Sequence, residues 1–282
     1  MRSLLARSVT DRGDIAARAA ELGADLSKGS GVLIARAHPR AAQSGEWRGR
    51  VLAIALRAVR AISAGALAAE GDDEAREGAE VIAVVPADED DRLTRAAEAL
   101  ATELEQGLTG FAVTVSRSRI AADPVDLYRA GQEARLAANV GEAEGARLLA
   151  FEETGAYRLL LPAMSEDPAE LERFFSETVE PLLAYDEQYE TDLLKTVETY
   201  LDHDGNVAAT AQTLFTHRHT IRYRLERAKE LCGHDVTSTE GREKLGLGLK
   251  AMRVLGIAAP VGPAGEPGAE GGRVSRQSSD AD

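Results

Sequence analysis

Residues 206–232 read NVAATAQTLFTHRHTIRYRLERAKELC, and the spacing of their apolar positions predicts two short helices joined by a tight turn. Asn206 follows Gly205 and can cap a helix by accepting a backbone N–H bond. Val207, Ala211 and Leu214 then fall on one stripe at helical spacing. Phe215-Thr216 interrupts that stripe, and Thr216 reads as the N-cap of a second helix that buries Ile221, Leu225 and Ala228, with Leu231 or Cys232 one turn on. Two helices of this kind across a tight turn make a helix-turn-helix, the arrangement that lays its second helix in the major groove of DNA.

Charge is concentrated on that second helix. Between His217 and Lys229 stand Arg218, Arg222, Arg224, Arg227 and Lys229 against Glu226 alone, a local +4 in a chain whose net charge is −14. With Ile221 and Leu225 turned inward, about 100° per residue points His219, Arg222, Tyr223, Glu226 and Arg227 outward. The start of a recognition helix reaches base edges, so His217, Arg218, His219 and Arg222 are the base-reading candidates on double-stranded DNA. Thr216, Thr220, Tyr223 and Arg224 are candidates for positioning on phosphates. The competing reading is a surface helix of a structural or protein-interaction module whose bundle does not bind DNA. Upstream, Thr191 to Asp202 turns Leu193, Leu194, Val197, Tyr200 and Leu201 to one side and supplies a third helix. Downstream, Thr237-x-x-Glu240 has the form of a capping box before Leu245, Leu249, Met252 and Leu255.

The run LLKTVETYLDHDGNVAATAQTLFTHRHTIRYRLERAKELCGHDV resembles the C-terminal helix-turn-helix of PucR/CdaR-type bacterial transcriptional regulators. The resemblance rests on Leu193, Leu194, Thr196, Tyr200 and Leu201, on the Gly205-Asn206 cap, on Thr210, Ala211 and Leu214, and on His217, Arg218, Thr220, Ile221, Arg222, Tyr223, Arg224 and Leu225. Phe215 stands where a generic helix-turn-helix often uses glycine, and its ring is expected to pack against the helix pair.

The 282 residues, 44% hydrophobic and 28% charged, suffice for two domains with cores of their own. The longest apolar run, 51–62, is broken by Arg57 and Arg60 and falls well short of the roughly 20 residues a membrane helix needs. The N-terminus lacks the apolar core and cleavage site of a secretory signal, so the expected location is cytoplasmic and no membrane partner is expected. Cys232, the single cysteine, can form no internal disulfide and reads as a small buried apolar residue. An acidic chain repels a polyanion at long range, so binding to DNA must come from one face and be strongly salt-sensitive.

In chain order the pattern predicts a helix over 14–22, a strand over 31–37, a helix over 46–63, strands over 64–69 and 81–85, and a helix over 91–106. A strand over 111–116, a helix over 124–140 and short strands over 148–151 and 157–162 follow. Alternating strands and helices imply an α/β domain with one mixed sheet over 1–185, reached through a helix over 168–184. An all-α helix-turn-helix domain over 186–257 comes next, then a Gly-, Pro- and Ser-rich tail over 258–282 that is expected to be disordered.

In PucR/CdaR-type regulators the region before the helix-turn-helix resembles a degenerate GGDEF domain, and the inferred strands are compatible with it. Matched from Ala75-Arg76, the second glycine of that signature falls on Ala79, the first acid on Glu80 and the second on Val81. The first strand, Val32 to Ala37, contains no acid. Two-metal phosphoryl chemistry needs a complete carboxylate set to hold Mg²⁺, so no enzyme activity, cofactor or metal is expected. His217 and His219 diverge by about 200° on a helix and cannot share a metal, and the acids at 72–74 and 88–91 read as solvated loops. The expected partners are double-stranded DNA, a second copy of the chain, and a small-molecule effector of unknown identity. Members of the family it resembles often carry a further N-terminal sensory domain, and none is expected ahead of the sheet here, so either the signal is sensed elsewhere or the chain is a fragment or a reduced family member.

Overall fold

The structure, a computed structural model, describes Leu5 and residues 11–41, 47–71 and 78–257. The charged loop at 72–77, which includes Ala75, Arg76 and Glu77, and the tail over 258–282 lie outside the described residues. The chain divides into two compact units, Met1–Ser165 and Glu166–Asp282.

The first unit is built on a five-stranded mixed sheet. Its elements are α1 (Arg12–Glu21), β1 (Ser30–Pro39), α2 (Trp47–Ile62), β2 (Leu67–Glu70), β3 (Ala79–Pro86), α3 (Asp90–Gly107), β4 (Phe111–Arg117), α4 (Leu127–Glu144), β5 (Leu148–Ala150) and α5 (Leu161–Glu166). The order across the sheet is β2-β3-β1-β4-β5, with β4 and β5 parallel and the other neighbours antiparallel. β1 is central and covered on both faces, which is why 30–37 are all buried rather than alternating. Leu33, Ala35 and Ala37 meet Val51, Ile54 and Val59 of α2 and Leu93, Ala97 and Leu100 of α3 in one core. Val32 and Ile34 meet Ile15 of α1 and Leu127, Ala130 and Ala134 of α4 in another.

Residues 157–162 are not a strand. Gly155–Leu160 is a 3₁₀ turn leading into α5, and Leu159 is 82% exposed. The chain is turned off the sheet edge just before, where the Ala150 N–H donates to the Glu153 carboxylate (2.9 Å) and the Thr154 hydroxyl to the Phe151 carbonyl (2.8 Å). The helix expected over 168–184 is two, α6 (Pro168–Thr178) and α7 (Glu180–Tyr189). Pro181 explains the break, because it has no N–H to give the carbonyl of Glu177 and its ring crowds that turn.

Both helices belong to the second unit, with α8 (Leu193–Asp202), α9 (Val207–Thr213), α10 (Arg218–Cys232) and α11 (Thr239–Val254). The division at 165 therefore falls ahead of the boundary that the sequence placed at 185. α6 lies close against α11, where a side chain on Gly248 would meet the Thr178 hydroxyl at 2.3 Å. Ile221, Leu225 and Ala228 of α10 are buried as expected, in one unit with Leu194, Val197 and Tyr200 of α8. Each large aliphatic buried in this way stabilises by about 1.5–3 kcal/mol. The α11 positions Leu245, Leu249 and Met252 are also buried, and Leu255 is half-buried.

Candidate nucleic-acid interface

The helix-turn-helix is assembled by caps as much as by apolar contacts. Asn206 precedes α9 in extended backbone, and its side-chain oxygen accepts from Ala208 N–H (3.0 Å) and Ala209 N–H (3.1 Å). At the turn, the N-cap of α10 is His217 rather than Thr216. The Thr216 N–H returns to the Ala211 carbonyl (2.9 Å) and so finishes α9, leaving His217 Nδ1 to accept from His219 N–H (3.2 Å). Phe215 takes the left-handed conformation (φ 48°) that the generic glycine would supply, and its ring is 97% exposed instead of packed on the helices.

An open groove of about 830 Å³ runs between α9 and the first turns of α10. Thr216, His217, Arg218, His219 and Arg222 line it from the α10 side, so five of the sequence candidates converge. Three do not: Thr220 is half-buried, Tyr223 is 64% exposed outside the groove, and Arg224 is turned to α8. From α9 the groove takes Ala208 and Gln212, which the sequence reading passed over. Their signal was present, since a stripe at Val207, Ala211 and Leu214 leaves the next position of each turn facing out.

The charges of α10 divide in the same way. Arg224 pairs with Asp192 (3.3 Å), Arg227 with Glu230 (2.7 Å) and Lys229 with Asp235 (3.1 Å). Arg218 and Arg222 are exposed and make no ion pair with any described residue. The two unpaired guanidiniums are the two that line the groove. Cys232 is half-buried, and burial pushes its thiol above the ordinary value, away from the reactive thiolate.

Asp235 secures the link from α10 to α11. Its carboxylate accepts from the hydroxyl (2.6 Å) and N–H (2.9 Å) of Thr237 besides pairing with Lys229, and the Thr237 hydroxyl, then its N–H, then Lys229 hold its pKa at about 2 against 3.8. Ser238 rather than Thr237 caps α11, its hydroxyl oxygen accepting from Gly241 N–H (3.0 Å) while it donates to the Asp235 carbonyl (2.8 Å). A carboxyl whose pKa is lowered by folding contributes its stability above the unfolded value and loses it as pH falls through the folded one. The link should therefore be intact above about pH 4 and loosen toward pH 2. Hydrogen exchange at the Thr237 amide checks this, and unchanged protection across that range would contradict it.

In the first unit the one acid of the degenerate signature within the described residues is already engaged. Glu80 on β3 accepts from Arg36 Nε (2.8 Å), whose Nη1 donates to Glu142 of α4 (2.7 Å), and His38 Nε2 lies 2.5 Å from the other Glu142 oxygen. Arg36 and Glu80 side chains are 3% and 5% exposed. A guanidinium thus fills the space beside Glu80, and Val81 points to the opposite face among Leu33, Ala35 and Val85.

Comparison with known proteins matches both units. Residues 6–140 fit the GGDEF-like domain, and residues 193–251 fit the PucR C-terminal helix-turn-helix domain. The chain carries the GGDEF-like domain and the C-terminal helix-turn-helix domain of PucR-type regulators. Its GGDEF-like domain is of the non-catalytic kind that such regulators carry. It is 34% identical over 86 residues to the purine catabolism regulatory protein of Bacillus subtilis, covering 30% of this chain and 16% of that one. It is 31% identical over 103 residues to the proline-responsive transcriptional activator PutR of the same organism, covering 36% and 25%. The chain therefore spans a quarter or less of the length of these curated relatives. A solved regulator of polyketide synthase expression from Bifidobacterium adolescentis aligns over 90% of this chain and 96% of its own, at 19% identity and a TM-score of 0.37. Among the described residues, no helix is long and apolar enough to cross a membrane.

Proposed function

We propose that the chain regulates transcription by setting the first turns of α10 into the major groove of double-stranded DNA. Arg218 and Arg222 read base edges, guanine suiting their planar forks, and His217 and His219 complete the reading face. Thr216, Thr220 and Tyr223 position the unit on the backbone, and the α9 side of the groove adds Gln212. The observation that carries this reading is that the only two α10 cations without an ion pair to a described residue line the groove. A helical bundle serving only as a protein-interaction module gives no reason for that coincidence.

The working unit in this reading is a cytoplasmic homodimer. One recognition helix gives modest affinity, whereas two held about 34 Å apart combine their binding energies on a palindromic site. The buried α11 stripe leaves the sheet unit, which also answers to an effector, as the pairing surface. Light scattering at micromolar concentration should give about twice the 30.0 kDa chain mass, and footprinting should give two protected major-groove faces. A monomer that protects one half-site with full affinity would refute the dimer.

A further inference from the structure

Arg224 of α10 reaches back toward α8 in the bundle. Its Nη1 donates to Thr196 Oγ1 (3.2 Å) and its Nη2 to Asp192 Oδ2 (3.3 Å), with 23% of its side chain exposed. Both acceptors sit on a fixed base. Thr196 is fully buried and donates its own hydroxyl proton to the Asp192 carbonyl (2.6 Å). The first N–H groups of α8, at Leu193 and Leu194, donate to the carboxylate of Asp186 on α7 (2.8 Å each), as does the Thr191 hydroxyl (2.5 Å), and Asp186 is 2% exposed. One turn along α10, the Arg227 guanidinium lies over the Tyr185 ring of α7 at 4.9 Å. The rear of α10 is thus fastened at two points to the elbow between α7 and α8.

We infer that Arg224 is a positioning residue, which sets the angle of the reading helix against α8 and touches no phosphate. This rests on the proposed reading of DNA by α10. A planar guanidinium can hold Thr196 and Asp192 at once through separate nitrogens, fixing rotation as well as distance, which a lysine point charge does not do. Its charge is already matched by Asp192, so little is left to attract a polyanion.

The two roles differ in sign when Asp192 is changed. Removing an acid beside a DNA-binding helix tightens binding if only the field matters, and loosens it if the acid holds the helix in place. The test measures affinity of the full chain for one operator duplex from 50 to 300 mM salt, in the parent and in Arg224→Ala, Arg224→Lys, Asp192→Ala and Arg218→Ala. Arg224→Ala and Asp192→Ala should each weaken binding by roughly five- to tenfold with the parent's salt dependence. Arg224→Lys should not restore it. A phosphate contact at Arg224 would instead lower the log–log salt slope by about 0.9 on its removal. That drop, or tighter binding by Asp192→Ala, overturns the positioning role and leaves DNA binding standing. A parent chain that binds no duplex overturns both, and the Asp192 variant decides the matter if Arg224→Ala fails to fold.

Discussion

Replacing Arg218 and Arg222 together by alanine is expected to reduce operator affinity to the level of random DNA while the helical unit keeps its melting temperature. Each bidentate arginine–guanine contact discriminates by about 1–3 kcal/mol, so the pair accounts for roughly 30-fold to 10⁴-fold in affinity. Neither side chain is buried, caps a helix or pairs with a described acid, and exposed substitutions of that kind stay within about 0.5 kcal/mol in stability. Fluorescence anisotropy on a labelled duplex, with circular dichroism of the same samples, separates the two effects. A double variant that binds the operator as tightly as the parent would remove α10 from the interface.

The largest stability effect is expected in the sheet unit, at Arg36. Leucine there strands Glu80, 5% exposed, without its cation, whereas Glu142 at 26% can turn toward water. Breaking a buried pair from one side costs about 3–5 kcal/mol, while replacing both partners by apolar groups of similar volume is often close to neutral. Arg36→Leu should therefore move the denaturation midpoint sharply, and Arg36→Leu with Glu80→Leu should recover most of it. Urea titration followed by far-ultraviolet circular dichroism checks both. A single variant as stable as the parent would show that the guanidinium is not what neutralises Glu80 in the fold.

Much of this architecture was legible from residues 206–232 and from the strands. Ile221, Leu225 and Ala228 are buried at the spacing that predicted them, and Asn206 caps α9. The strand expected over 31–37 and the helix over 91–106 are β1 and α3, parts of the mixed-sheet unit that the alternation of strands and helices implied. What failed did so where two local preferences compete for one residue. Thr216 and Thr237 are both good caps by type, but each helix begins one residue later, capped by His217 and by Ser238. Only the path of the chain decides such contests. The run at 157–162 was apolar enough for a strand and lacked an edge to pair with, once the turn at 151–154 had carried it off the sheet. Pro181 was a readable breaker that the helical periodicity around it concealed. Arg224 shows the limit for the interface: charge and position on a helix say that a cation is near the surface, and not which neighbour it has found.

The most direct test is methylation protection of guanine N7 on genomic fragments selected by the purified chain. With α10 in the major groove, the selected fragments share a short site whose major-groove guanines are shielded by the parent, and Arg222→Ala loses shielding at one guanine per half-site while the rest stay covered. Fragments retained no better than random DNA at 150 mM salt, or a footprint left unchanged by both Arg218→Ala and Arg222→Ala, would contradict major-groove reading by this helix.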